Sequence, residues 1–186
     1  MYVYDFDKTI YHGDSTMDFV AWCLKKKPSL ALYLLPGTVS FGAYLIKQCD
    51  KTRFKEKFYA FLRHIPSVET WVDEFWQEHS DRIKDWYPAQ QQADDVIISA
   101  SPEFLLRPIC KQLGIQHLIA SRVDIHTGMY LGQNCYGEEK VRRFRKVFGD
   151  AEIDAFYSDS FSDAPMANIA KNAYLVDDDI LIPWEE

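Results

Sequence analysis

Short apolar runs alternate along the chain with longer segments in which apolar residues recur at helical spacing. Buried strands are predicted by β-branched and aromatic composition at 2–6, 95–99, 118–121, 154–159 and 174–177. Between them, segments such as 138–148 place apolar side chains every three or four residues, which predicts amphipathic helices. Strands that alternate with helices predict an α/β fold with a doubly wound, mostly parallel, Rossmann-like sheet.

The segment between the first two predicted strands differs from the rest of the chain. Residues 20–65 carry a charge of +7, whereas the whole chain carries −7. Within this block, 29–46 has no charged residue and approaches the length of a membrane span, but Pro36 and Gly37 interrupt it. We predict two short apolar helices flanked by lysines. Their apolar faces either pack together or contact lipid at an anionic surface.

This composition suggests a two-part organisation. At 186 residues the chain is long enough for one domain with an inserted module. We expect residues 1–13 and 88–186 to form the core, and 14–87 to form a helical cap inserted between the first and second strands. An amphipathic helix with a basic outer face is predicted at 52–64, and a second helix at 67–86 with Ser67 as its cap.

Two carboxylates follow the first predicted strand. Asp5 and Asp7 lie two residues apart, so their side chains leave the backbone in the same direction. At 4 Å in a partly buried site, such charges repel by about 4 kcal/mol, so a cation is expected nearby. In α/β proteins ligands bind at the carboxyl ends of the strands. Taken alone, however, this stretch fits a polar turn equally well.

Two further groups lie at places that favour anions. Ser99 ends the second strand directly before a helix N-terminus, where backbone amides can hold an anion. We predict that Ser101 caps this helix and that Pro102 is its first residue, which leaves Ser99 free to bind ligand. Lys140 falls in the first turn of the helix at 138–148, where a cation is unfavourable unless an anion is near.

The loop after the fourth predicted strand contains a second acidic pair. Asp159 ends that strand, and Asp163 follows in the turn before the next predicted helix, at 165–172. Each of these features is weak alone, because acids end many strands and serines cap many helices. Their joint occurrence at four corresponding positions is much more specific.

This pattern resembles the haloacid dehalogenase-like (HAD) hydrolase superfamily. The matching residues are Asp5, Asp7 and Thr9 of its DxDxT motif, then Ser99, Lys140, and Asp159 with Asp163 of its acidic loop. The resemblance covers the chain outside the inserted segment, whose position is similar to the phosphoserine-phosphatase-like branch (subfamily IB). This chain departs from the family where Ser158 and Ser160 replace common glycines, so the resemblance does not predict the conformation of that loop.

The resemblance implies a phosphatase that works through an aspartyl-phosphate. Asp5 would attack phosphorus, and Asp7 would protonate the leaving oxygen and then activate water. Phosphate would be held by Ser99, the backbone amide of Ala100, and Lys140. Mg²⁺ would be bound by Asp5, the carbonyl oxygen of Asp7, and Asp159, with Thr9 and Asp163 as supporting residues. An acid at Asp7 favours phosphate-ester hydrolysis over dehalogenation.

The sequence indicates two classes of substrate. By resemblance, an acid after the first motif and a cap arginine would recognise a small metabolite such as phosphoserine. Asp14 and Arg53 are the candidates, although Asp14 is also placed to cap a helix. The apolar, lysine-flanked segment favours the alternative of a lipid phosphate, such as phosphatidylglycerophosphate, at a membrane surface. An alternative of another class is a phospho-accepting receiver-like signalling domain, which the DxDxT motif and the insert disfavour.

Composition limits the remaining possibilities. The acidic net charge disfavours nucleic acid as a partner. Free thiols in a reducing compartment are expected for Cys23, Cys49, Cys110 and Cys135, which form no CxxC pair. With no leader pattern before the first strand, we expect a cytoplasmic protein, peripheral to the inner face of the membrane if the cap contacts lipid.

Overall fold

The computed structural model describes residues 1–34 and 58–185, which form a six-stranded sheet flanked by helices. The strands are β1 (Tyr2–Tyr4), β2 (Val96–Pro102), β3 (His117–Ser121), β4 (Ala155–Ser158), β5 (Ala173–Asp177) and β6 (Ile180–Pro183). Their order is β3-β2-β1-β4-β5-β6, with β1 to β5 parallel and β6 antiparallel. The predicted α/β fold with a mostly parallel Rossmann-like sheet is confirmed.

Helices connect the parallel strands. They are α1 (Ser15–Lys26), α2 (Val68–His79), α3 (Trp86–Gln90), α4 (Glu103–Gln112), α5 (Glu138–Phe148) and α6 (Ala164–Ala167). Short 3-10 turns lie at Pro28–Leu30, Ala60–His64, Ser80–Arg82 and Phe161–Asp163. Among the described residues, none of these helices is long and apolar enough to cross a membrane.

Strand β1 lies at the centre of the sheet and contributes to both of its buried faces. Val3 pairs with Val96 and Phe156, and these three side chains belong to one apolar cluster. The next residue, Tyr4, points to the opposite face and belongs to the other cluster with Ile97. Because the chain runs from β1 to β2 on one side and reaches β4 on the other, the carboxyl end of β1 is the topological switch point where ligands bind.

The two long helices between β1 and β2 pack on each other and on the core. Trp22 of α1 donates from Nε1 to Glu78 of α2 at 3.0 Å. Trp76 of α2 donates from Nε1 to the Leu105 carbonyl of α4 at 2.6 Å, and its ring lies edge-on to Phe6, with centroids 6.0 Å apart. As predicted, Ser67 caps α2 and accepts from the amide of Thr70. These contacts hold α1 and α2 against the element that follows β2.

The prediction that Ser101 caps the helix after β2 is wrong. The strand continues to Pro102, which is itself the residue before the first turn of α4, and no side chain caps that helix. Pairing with β3 resumes at Pro102 and Ser121 after a bulge, and this pairing keeps Ser101 in the strand. Its hydroxyl is therefore available to the site described below.

Other elements differ in length from the sequence-based expectation. Helix α2 ends at His79 rather than near residue 86, and α6 ends at Ala167 rather than near residue 172. Strand β6 was not predicted. Residues 31–34 are helical, but residues 35–46 of the apolar segment and residues 52–57 lie outside the described part of the chain. Of the predicted free thiols, Cys23, Cys110 and Cys135 are free and buried, and Cys49 lies outside that part.

Candidate active site

The carboxyl ends of β1, β2 and β4 surround a cavity of about 600 Å³. Its lining includes the predicted residues Asp5, Asp7, Ser99, Ala100, Lys140, Asp159 and Asp163. These residues come from four separate parts of the chain. The four aspartates follow strand ends and Lys140 lies in the first turn of α5, whereas Ser99 and Ala100 lie within β2, which continues to Pro102 and does not end at Ser99 as predicted. The structure therefore brings the predicted motif residues together at the switch point of the sheet.

Lys140 joins two buried carboxylates. Its Nζ lies 2.8 Å from Asp5 Oδ1 and 2.6 Å from Asp163 Oδ2, and its side chain is 2% exposed. Burial lowers the pKa of Lys140, but Asp5 and Asp163 outweigh burial and raise it overall. The amine thus stays charged, which explains why a lysine is stable in the first turn of α5.

Asp7 is held by different partners, and neither is a cation. The backbone amide of Ser15, the first residue of α1, donates to Asp7 Oδ1 at 2.7 Å. The hydroxyl of Ser101 donates to Asp7 Oδ2, and it lies 3.1 Å from the hydroxyl of Thr16. Asp7 therefore sits at a helix N-terminus, where backbone amides favour negative charge. A cation was expected beside both carboxylates. Lys140 contacts Asp5, but no cation among the described residues contacts Asp7.

Burial dominates the proton affinity of both carboxyl groups. Desolvation raises the pKa of Asp5 to about 7, and Asp163 adds to this effect while Lys140 opposes it. Desolvation also raises the pKa of Asp7 to about 6, with Asp14 as a further cause. The hydrogen bonds from Ser101 and Ser15 favour the charged form of Asp7 and oppose that rise. A carboxyl group of this kind can exchange protons near neutral pH.

Hydrogen bonds fix the loop after β4. The backbone amide of Asp159 donates to the hydroxyl of Thr9 at 3.0 Å, which ties this loop to the one after β1. Ser158 donates from Oγ to Asp163 Oδ2 at 2.8 Å and accepts from the amide of Ser160 at 3.3 Å. The serine at position 158 therefore orients the acid that binds Lys140, a contact that glycine could not make. Desolvation raises the pKa of Asp159 as well.

The structure describes Ser99 and Asp14 but not Arg53. Ser99 is buried, and its Oγ accepts from the amide of Ser101 at 3.1 Å. Asp14 is the N-cap of α1 and accepts from the amide of Met17 at 3.0 Å, and it also lines the cavity. Arg53 lies outside the described residues.

Sequence reasoning missed several residues that line the cavity. They are Lys8, Thr16, Met17, Phe58, Tyr59, Ser101 and Tyr136. Thr16 could have been found, because it lies in the first turn of a helix that begins shortly after the DxDxT motif. Lys8 has a positive φ of 58°, a backbone conformation that the sequence around it does not predict.

Oxygen donors at the cavity fit a magnesium ion. Asp5, Asp7 and Asp159 offer carboxylate or carbonyl oxygens, which are the ligands that Mg²⁺ prefers. Asp163 Oδ1 is buried and has no hydrogen-bond partner within the described residues, so an oxygen remains for a cation or its water. Among the described residues, three metal-binding side chains have ligand atoms within 4.8 Å of one another only at His12, Asp178 and Asp179, and this group lies outside the cavity. A metal site in the cavity would thus include the Asp7 carbonyl and water.

Comparison with known proteins identifies the family. The profile of the haloacid dehalogenase-like hydrolases matches residues 2–168. Protein CicA of Caulobacter vibrioides is 30% identical over an alignment of length 185. The alignment covers 90% of this chain and 81% of CicA. The probable phosphatase Rv3661 of Mycobacterium tuberculosis is 36% identical over 93 residues, which cover 46% of this chain and 32% of that protein.

A solved structure supports the same fold. The phosphoserine phosphohydrolase-like protein of Francisella tularensis superimposes with a TM-score of 0.60 at 15% identity. The match covers 94% of this chain and 87% of that one. This likeness shows the shared fold. The chain belongs to the haloacid dehalogenase-like hydrolase family.

Proposed function

We propose that this protein hydrolyses a phosphate monoester through an aspartyl-phosphate formed on Asp5, with Mg²⁺ as its cofactor. The observation that carries the proposal is the unequal treatment of the two neighbouring carboxylates. Asp5 is bound through Oδ1 to the buried amine of Lys140, whereas Asp7 is held by neutral donors. Asp5 thus has one oxygen beside a cation, as a nucleophile needs, and Asp7, which contacts no cation among the described residues, can take up and release a proton.

The first half of the reaction transfers the phosphoryl group to the protein. The free Oδ2 of Asp5 attacks phosphorus, the bond from phosphorus to the ester oxygen breaks, and Asp7 gives its proton to the leaving oxygen. Lys140 remains on Asp5 Oδ1 and offsets the charge that gathers at the phosphoryl oxygens. Ser99 and the amide of Ala100 hold those oxygens, since both line the cavity at the end of β2.

The second half releases phosphate. Asp7, now ionised, takes a proton from water as the water oxygen attacks the phosphoryl group on Asp5, and the bond from Asp5 to phosphorus breaks. The amide of Ser15 and the hydroxyl of Ser101 orient Asp7 in its ionised form, in which each of its oxygens accepts one hydrogen bond.

Asp5, the carbonyl oxygen of Asp7, and Asp159 would hold the magnesium ion. When bound, the ion supplies positive charge that draws the substrate phosphate toward Asp5. Thr9 and Asp163 support this arrangement, Thr9 through the amide of Asp159 and Asp163 through Lys140.

Residues 14–87 form the cap in this proposal, and residues 1–13 with 88–186 form the catalytic core. Supporting this, α1 and α2 lie between β1 and β2, and both Met17 and Tyr59 line the cavity. The substrate is a small phosphorylated metabolite from the cytoplasm, such as phosphoserine, and Asp14 and Arg53 remain the candidates for recognising it.

One observation favours the alternative of a lipid phosphate at a membrane surface. Leu32 is 67% exposed, and Tyr33 is also exposed, shortly after the exposed lysines Lys25 and Lys26. An apolar surface beside lysines suits an anionic interface. Flotation with anionic vesicles tests this alternative, which fails if the protein does not float and yet turns over soluble esters well.

Turnover of p-nitrophenyl phosphate with Mg²⁺ tests the proposed reaction. Asp5→Asn should lower the rate by roughly three orders of magnitude or more, whereas Asp150→Asn, at an exposed turn after α5, should have no effect. Full activity in Asp5→Asn would show the mechanism to be wrong. A single stable phosphorylation of Asp5 without turnover would instead favour a receiver-like signalling domain.

A further inference from the structure

Four apolar or aromatic side chains line the cavity beside the residues of the HAD motifs. They are Met17 from α1, Phe58 and Tyr59 from the segment before α2, and Tyr136 from the loop before α5. Three separate segments of the chain thus present carbon surface to the space that a leaving group would occupy beside Asp5 and Asp7.

The polar groups of this lining are already engaged. Asp14 caps α1, and Thr16 lies in contact with Ser101, the residue that binds Asp7. The hydroxyl of Tyr59 makes a hydrogen bond with Thr16. These polar side chains are therefore turned toward one another or toward the helix end.

Positive charge in the described lining comes from lysines. Among the described lining residues the cations are Lys8 and Lys140. Lys140 binds Asp5 and Asp163, and Lys8 lies in the first motif between Asp7 and Thr9. Asp14 adds a negative charge on the α1 side. Among the described lining residues, Lys8 is thus the one cation that does not bind Asp5 or Asp163, so a carboxylate or a second phosphate on the leaving group would have few cations to pair with.

We propose that the substrate's leaving group is an uncharged alkyl or aryl group, which binds against Met17, Phe58, Tyr59 and Tyr136, so that phosphoserine, whose leaving group is charged, would bind more weakly than such an ester. This inference rests on the proposed phosphatase reaction for the placement of the phosphate end. Burying apolar carbon against this lining is favourable, whereas burying an unpaired charge there is not. Alkyl chains and aromatic rings share this chemistry, because both can pack on Tyr136 and on the flexible thioether of Met17.

The wall at Tyr59 is rigid. Tyr59 is 3% exposed, and Gly128 lies so close that a Cβ there would stand 2.4 Å from the Tyr59 carbonyl oxygen. The ring of Tyr130 supports the same residue, with centroids 6.2 Å apart. A fixed aromatic residue and an exposed methionine in the same lining can therefore accept leaving groups of different length.

Affinity for non-hydrolysable phosphonates tests the proposal separately from catalysis. With Mg²⁺ present, calorimetry on the full chain should show the dissociation constant falling by about twofold to fourfold per added methylene from methyl- to octylphosphonate. Phosphonates that carry a terminal carboxylate should bind more weakly than their uncharged counterparts of equal length. A flat series, or tighter binding of the carboxylates, would overturn the proposal.

Paired methionine variants locate the effect. Met17→Gln should reduce the gain per methylene, whereas Met129→Gln, at a similarly exposed methionine that does not line the cavity, should leave it unchanged. If both variants lose the same affinity gain per methylene, or neither loses any, the alkyl group of the phosphonate binds elsewhere. That result would overturn the assignment to Met17 and its neighbours.

An uncharged leaving group could belong to an aromatic metabolite or to a lipid, and comparison of phenyl- with hexylphosphonate distinguishes these two. Tighter binding of the phenyl compound points to an aromatic metabolite, and tighter binding of the hexyl compound to a lipid. Turnover is measured on the matching phosphate esters. Turnover with a flat phosphonate series would remove this inference and leave the proposed reaction, whereas a steep series without turnover would remove the reaction and keep the ligand class.

Discussion

The amine of Lys84 donates a hydrogen bond to the backbone carbonyl of Lys8 at 2.8 Å, across 76 residues of sequence. The same amine also donates to the carbonyl of Asp178, in the turn between β5 and β6. The side chain of Lys84 is buried, and its backbone amide donates to Ile10 at 2.9 Å. One lysine thus fixes the loop that carries Asp7 to the turn between β5 and β6.

Replacing Lys84 with methionine should weaken both the fold and the site. Two backbone carbonyls would lose a charged donor, which should lower the free energy of unfolding by about 2 to 3 kcal/mol. The melting temperature should fall by roughly 4 to 10 °C. The exposed lysine in the last turn of α4 provides the control, and Lys111→Met should melt close to wild type. Equal melting temperatures for the two variants would contradict this role of Lys84.

Removing Lys140 should destabilise the protein as well as inactivate it. In Lys140→Met, Asp5 and Asp163 would remain buried without their cation, which should cost about 3 to 5 kcal/mol of unfolding free energy. Urea denaturation measures this loss. Lys146→Met, at an exposed lysine of the same helix, should change stability by less than about 0.5 kcal/mol. A Lys140→Met protein as stable as wild type would show that the carboxylates do not need the amine.

Two glycines with nearly the same backbone conformation should differ in their tolerance of alanine. Gly114 has φ +75° and open space around a Cβ, whereas Gly128 has φ +72° and faces the carbonyl of Tyr59. Gly114→Ala should lose about 1 to 2 kcal/mol from backbone strain alone. Gly128→Ala should lose about 1 to 3 kcal/mol more, because backbone atoms must move. Equal losses in urea denaturation would mean that this contact relaxes freely.

Replacing Asp95 with asparagine should stabilise the protein at neutral pH. Burial raises the pKa of Asp95 from 3.8 to about 6, so the folded state binds its proton more tightly than the unfolded state does. Its contribution is fully present below pH 3.8 and is lost as the pH rises through 6. Asparagine can still accept the hydrogen bond from the amide of Gln92 without becoming charged.

The melting temperature of Asp95→Asn relative to wild type should therefore rise between pH 4 and pH 7. Asp150→Asn, at an exposed site, should show no such trend. A difference that is constant across this range would mean that Asp95 titrates alike in the folded and unfolded chains.

The arrangement of the motif residues could be predicted because it follows from local patterns. An apolar run that ends in an acid or a serine places that side chain at a strand end, and parallel strands bring these ends to one edge of the sheet. Asp5, Ser99 and Asp159 were located in this way. Lys140 was located because a cation in a first turn needs a nearby anion, and Asp5 and Asp163 supply it.

The residues that were missed depend on contacts between distant segments. Ser101 has the local sequence of a helix cap, yet pairing of β2 with β3 keeps it in the strand and turns its hydroxyl to Asp7. Lys84 looks like a solvent-exposed lysine until the turn at Asp178 is placed beside it. Strand β6 exists because it pairs with β5, a partner that no local pattern reveals.

The hydrogen bond from the amide of Ser15 to Asp7 has a thermodynamic consequence. This bond favours the charged form of Asp7, so any displacement of the first turn of α1 would raise the pKa of that carboxyl group. By linkage the converse holds equally, and protonation of Asp7 weakens the attachment of α1 to the loop after β1. The proton that Asp7 gains and gives up is therefore also a ligand whose binding loosens α1 and whose release tightens it.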